Sequence, residues 1–318
     1  MRLWLCLNLT AWAIAVWAIS RMAGPSPGYR YVAVVYGAFL WACPAAISIG
    51  QPVVIAGTLT ICSILAARRN RLITSAVLLG LAAAVKPTVA LVAIFAFLLE
   101  DRWKILITGG IATLAATAAV ILPPWPRSST WLPELAHTLA VLPALSPLAN
   151  GIDPQRLINF QTVVGLFTAS IAVANIVTYA VVMLVLFAGF IALRRAEPAL
   201  RPMIALGVAL PAAMLVTYHR YNDLFVLLLI LPLCLFIYER RRRVLFALFA
   251  GAVAILSLAT QTKFARIFPP NLRTQSFAEK LRVLVLFRHQ PLLLLALAVM
   301  TIYIATQNWT TRETRALD

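Results

Sequence analysis

Few residues in this chain could do chemistry, and they lie far apart. The stretch TYHRYNDLF (217–225) sets an imidazole, a guanidinium, two phenols, an amide and a carboxylate between two apolar runs. Such density at a membrane edge belongs to a cavity lining or to an interfacial turn with Tyr218 and Tyr221 as an aromatic belt. A general base must reach the proton it removes, so His219 and Asp223 are the candidate catalytic residues. The second candidate is Lys86, the one charge between Arg71 and Glu100. An ammonium at membrane depth costs several kcal/mol unless something compensates it. An anionic lipid headgroup such as a polyprenyl phosphate would do so, because lysine is a common point-charge ligand for phosphate. A snorkelling or internally paired lysine is the other reading. Gly50-Gln51-Pro52 interrupts two apolar runs with an amide, which makes Gln51 either part of a simple turn or a contact to a substrate hydroxyl.

The elements that must position these groups are membrane helices. Of 318 residues, 62% are hydrophobic and only 12% charged, and the mean hydropathy is +0.91. A soluble domain would be nearer half apolar and a quarter charged. The formal charge of +17 therefore points to membrane topology and a lipid bilayer, with no nucleic acid expected as partner. Apolar runs at 3–22, 31–49, 53–67, 72–99, 105–122, 164–193, 202–217, 224–238, 244–260 and 284–305 predict an all-α, polytopic transmembrane bundle. Counting a broken pair at 72–99, that is about nine to eleven membrane segments in a single domain over 1–318. Cys6, Cys43, Cys62 and Cys234 sit in apolar runs without metal-ligand spacing.

Charge then orients the segments. The clusters Arg68/Arg69/Arg71, Arg102/Lys104, Arg194/Arg195/Arg201 and Arg240 to Arg243 all go to the cytoplasmic side. Both ends of 72–99 are then on that side. The run divides at Lys86-Pro87, where proline removes a helix donor and pushes the preceding residue out of the helical region. Two half-helices of roughly 18–21 Å with Lys86 at the tip satisfy both facts. A single proline-kinked helix is the competing reading, and it strands one basic cluster on the wrong side. On this topology 123–163 is an outer loop, with Trp125, Trp131, Glu134, His137 and Asp153, and 218–223 is an outer turn. The segment 261–283 is also outer despite its basic residues and reads as an amphipathic stretch on headgroups; Glu279 belongs to it, and His289 follows near the last run. The first run travels from outside to inside.

The order Gly-Gln turn, apolar run, basic loop, Ala/Gly/Leu run ending in Lys-Pro, and Arg-Trp after the next helix occupies 48–104, SIGQPVVIAGTLTICSILAARRNRLITSAVLLGLAAAVKPTVALVAIFAFLLEDRWK. It resembles the core signature of glycosyltransferase family 87, of the GT-C superfamily, with the likeness running over about 1–240. HRYND resembles the family's later patch, and Asn159 matches a loop asparagine. The resemblance implies transfer of a hexosyl or pentosyl unit from a polyprenyl-phosphate sugar to an envelope glycolipid or glycan. The cavity would face outward from the plasma membrane, with Lys86 and Arg220 on the donor phosphate. Gln51, Asn159 and Tyr218 would contact substrate, and His219 and Asp223 would be catalytic. It implies no cofactor or metal ligand set, and leaves a divalent cation open. In that family the catalytic base is an aspartate in the first outer loop, whereas no acid here precedes Glu100. A late start codon, a fragment or an inactive relative would each account for that. A secondary transporter or lipid flippase, or a non-catalytic membrane subunit, are the alternatives to an enzyme.

Overall fold

The computed structural model describes residues 2–22, 27–40, 42–121, 133–134, 136–137, 158–216, 221–240, 242–257 and 276–307. The helices are α1 (Arg2–Met22), α2 (Pro27–Phe39), α3 (Ala42–Ile49), α4 (Val53–Arg68), α5 (Leu72–Val85), α6 (Pro87–Leu99) and α7 (Trp103–Ile121). After them come α8 (Gln161–Val164), α9 (Ile171–Arg195), α10 (Arg201–Val216), a 3-10 helix Tyr221–Ile230, α11 (Leu231–Glu239), α12 (Arg243–Ser257), α13 (Phe277–Phe287) and α14 (His289–Thr306). Among the described residues α1, α7, α9 and α14 are each long and apolar enough to cross a bilayer, and the bent pair α2–α3 makes a fifth. The helices α4, α5, α6, α10 and α12 are as apolar but shorter. The expected count of membrane segments thus divides into full-length and partial ones.

The broken run 72–99 is a hairpin. Ser63 Oγ donates to Ser75 O at 2.8 Å, so α4 and α5 run antiparallel around a tight turn at Arg69–Arg71. A Cβ on Gly80 would meet Ala112 Cβ at 2.5 Å, while Gly109 faces Leu79 at 3.1 Å. Both numbers rise together, so α5 and α7 are parallel, and α6 must carry the chain back between them. Arg102 Nη1 accordingly donates to Ala67 O at 3.3 Å, joining the far end of α6 to the end of α4. A straight helix of the same length would hold those ends roughly 40 Å apart. The small residues on α5 and α7 allow the close approach through which van der Waals packing holds helices together in lipid.

The described residues of all four basic clusters lie at one end of the bundle. Arg68 Nη2 donates to Pro202 O at 3.3 Å, and Arg102, Arg194 and Arg201 line one pocket. Tyr29 donates to Glu239, which places the 240s beside the start of α2. The start of α1 lies at the other end: Trp4 Nε1 donates to Gly50 O at 2.6 Å, Thr58 Oγ1 to Ala11 O at 2.9 Å, and Arg69 stands 5.9 Å over Trp17. So α1 runs parallel to α4, from the polar end to the basic one, in the direction the charge pattern predicts. Helix α13 also lies at the polar end, with Lys280 5.8 Å from the Phe167 ring and Val283 packed with Leu166. It has a Ser276–Glu279 capping box and exposed Phe277, Leu281 and Val285, while residues 261–275 of the basic stretch lie outside the described residues.

Candidate active site

Lys86 has φ −155° and ψ 91°, the extended conformation that a following proline imposes. Its N–H closes α5 on Ala82 O at 2.8 Å, and its carbonyl starts α6 by accepting from Val89 N at 3.1 Å. One residue therefore ends one half-helix and begins the next, which leaves its side chain at the hairpin tip. There it forms an ion pair with Asp223, whose carboxylate is 2% exposed while the lysine side chain is 25% exposed. The ammonium is thus compensated within the protein and still reaches open space.

Asp223 is held by its neighbours. It lies in the first turn of the 3-10 helix, where backbone N–H groups favour an anion. Two residues on, the buried ring of Phe225 presses onto α4 at Gly57, where a Cβ would stand 2.5 Å from it. Absence of a side chain at Gly57 is what lets the 3-10 helix approach closely enough to bring Asp223 to the hairpin tip.

Gln51 lies at the same end. The Ser63–Ser75 register, carried ten residues along each antiparallel helix, sets Val53 level with Val85. Gly50 turns the chain with φ +69°, a conformation natural to glycine, and a Cβ there would strike the Trp4 ring at 2.7 Å. Gln51 N then donates to Ala46 O at 2.9 Å, and the side chain is half-buried.

Asn159 is buried beside the end of α10, where Phe160 N donates to Leu215 O at 3.1 Å. Its side chain serves its own turn: Nδ2 donates to Gln161 Oε1 at 3.1 Å, and Oδ1 accepts from Thr162 N at 3.3 Å. Tyr218, His219, Arg220 and Asp153 lie outside the described residues. Glu134 and His137 are exposed, and Glu279 caps α13. Among the described residues, His, Cys, Asp and Glu do not gather in threes as metal ligands would.

Sequence reading missed Arg288. It is buried at the polar end and donates through Nη1 to Thr162 O, tying α14 to α8. Burial pulls its guanidinium down to about 10. The signal was present in FRHQP before the last apolar run, but one arginine among 27 basic residues does not stand out.

An ion pair at the tip of broken helices is compatible with several membrane functions. The deciding observation is a match of the whole leading portion of the chain, residues 1–218, to glycosyltransferase family 87. The chain belongs to that family. It is therefore a membrane glycosyltransferase, with the Gly-Gln turn and Lys86-Pro87 inside the matched region. The match stops at Tyr218, which shortens the resemblance drawn from sequence: His219, Arg220 and Asp223 lie beyond it. No curated protein and no solved structure matches this family 87 glycosyltransferase.

Proposed function

We propose that this glycosyltransferase takes a hexosyl or pentosyl unit from a polyprenyl-phosphate sugar and passes it to an envelope glycolipid or glycan. The site would open to the outer side of the plasma membrane. The observation that carries the reading is the Lys86–Asp223 pair, a partly accessible ammonium fixed at a helix break by a buried carboxylate.

The acceptor oxygen attacks the anomeric carbon, forming one C–O bond as the bond to the phosphate oxygen breaks with its electron pair. The donor phosphodiester carries one negative charge, and the departing polyprenyl phosphate carries more. Lys86 stabilises that growing charge, which is useful because it is larger in the transition state than in the bound donor. Asp223 holds the Lys86 side chain in place at the hairpin tip. Asp223 and His219 are the candidate bases for the acceptor's proton. Arg220 would share the phosphate, and Gln51, Asn159 and Tyr218 would contact the sugars. Charge neutralisation by Lys86 replaces that by a divalent cation, so EDTA should leave the rate unchanged.

The test is transfer of labelled sugar from a synthetic polyprenyl-phosphate donor into membrane lipid. Wild-type membranes should transfer and Lys86→Met membranes should do so roughly 100-fold more slowly. Full activity in Lys86→Met at equal protein would remove the phosphate role. Substrate counterflow in liposomes without any transfer would instead favour a transporter.

A further inference from the structure

A second site has its charged mouth at the basic end, with a groove that runs from there to Val216 at the end of α10. Between α6 and α9 runs an apolar groove of about 460 Å³, walled by Phe95 and Leu98 on one side and by Val182, Leu186 and Phe187 on the other. Leu99 closes the groove and also lines the next cavity, a charged pocket of about 620 Å³ containing Glu100, Asp101, Arg102, Arg194 and Arg201. The two form one amphipathic crevice, apolar along its length and charged at its mouth.

The charges at the mouth are not mutually cancelled. Glu100 accepts from Arg102 Nε at 2.8 Å, which occupies both. Arg194 stacks 4.5 Å from the centre of the Phe190 ring, fixing its plane on the pocket wall. Arg201 Nε donates to Ala196 O at 3.2 Å, a contact that anchors the side chain without neutralising it. Among the described residues neither arginine forms a salt bridge with a carboxylate, although Asp101 lines the same pocket.

We infer that this crevice holds an anionic phospholipid, its headgroup phosphate on Arg194 and Arg201 and an acyl chain along the α6–α9 groove. Guanidinium forks suit a phosphate in geometry as well as charge. The donor phosphate is not the occupant of the mouth. Lys86 opens α6 and Leu99 closes it, so the two anion positions are roughly 20 Å apart. The lipid would brace α6, the arm that carries Lys86, against α9. This inference stands whether or not Lys86 binds the donor.

The test is native mass spectrometry of the delipidated protein with phosphatidylglycerol, phosphatidylcholine of the same chains, and free glycerol phosphate. Phosphatidylglycerol should bind about tenfold tighter than phosphatidylcholine, from two arginines at a membrane surface. Glycerol phosphate should not compete, because the groove contributes through the chain. The double variant Arg194→Gln/Arg201→Gln should erase the preference. Arg195→Gln, an exposed neighbour outside the pocket, should keep it, as should Lys86→Met. Leu186→Trp should fill the groove and weaken both lipids severalfold. Equal binding of the two lipids, or loss of preference in Arg195→Gln, would overturn the inference. So would displacement of phosphatidylglycerol by polyprenyl phosphate together with loss of sugar transfer in Leu186→Trp, since the groove would then hold the donor's chain.

Discussion

The two ends of the bundle use charge in opposite ways. At the basic end, guanidiniums from four loops gather, mostly exposed, with Glu100, Asp101, Glu197 and Glu239 as the nearby acids among the described residues. At the polar end the described residues include two charge contacts inside the bundle, Lys86 with the buried Asp223 and the buried Arg288 on a carbonyl, while Arg2, Glu279 and Arg282 stay exposed at its surface. Exposed charges are individually cheap, so evolution can scatter them to set orientation. A buried charge is tolerated only with a fixed partner, so each one marks a place where the fold has been committed to a particular geometry.

That contrast can be broken most directly at Lys86. Replacing it by methionine should lower sugar transfer on the order of 100-fold, the usual loss when one charge-stabilising group is removed. Asp223→Asn should be destabilising by about 2 kcal/mol, less than for a fully buried pair because Lys86 is partly exposed. Thermal unfolding in detergent measures it. The double variant Lys86→Met/Asp223→Asn sharpens the point: stability should recover while transfer stays lost. Recovery of both would make the pair purely structural. Gly57→Ala should cost about 1–3 kcal/mol as its methyl meets Phe225, and should reduce transfer by shifting Asp223. At the basic end Arg69→Gln, which removes a guanidinium standing over Trp17, should cost below about 1 kcal/mol and leave transfer unchanged.

The same contrast explains what could be read from sequence. Basic clusters are local and numerous, so their pattern alone required 72–99 to return to the side it left, and Pro87 located the tip. Internal pairing of Lys86 was one of two readings, but its partner lies 137 residues away, and no periodicity connects them. What joins them is the contact of Phe225 with Gly57, in which a missing side chain does the positioning and leaves no chemical signature. Arg288 was overlooked for a related reason. Its burial depends on α8 and α14 meeting, which apolar runs alone do not specify. At Asn159 the motif gave no sign that the side chain also bonds within its own turn.

The separation of Lys86 and Asp223 along the chain also bears on how the protein is made. A ribosome adding about 5–20 residues per second needs on the order of ten seconds to go from one to the other. For that interval the hairpin α5–α6 has left the ribosome while its counter-ion does not yet exist. The tip must wait in the insertion machinery, against a headgroup or in a water-filled vestibule, until the 3-10 helix arrives. Completion of the ion pair is therefore a late assembly step, and a chain stopped before Asp223 would present quality control with an uncompensated lysine.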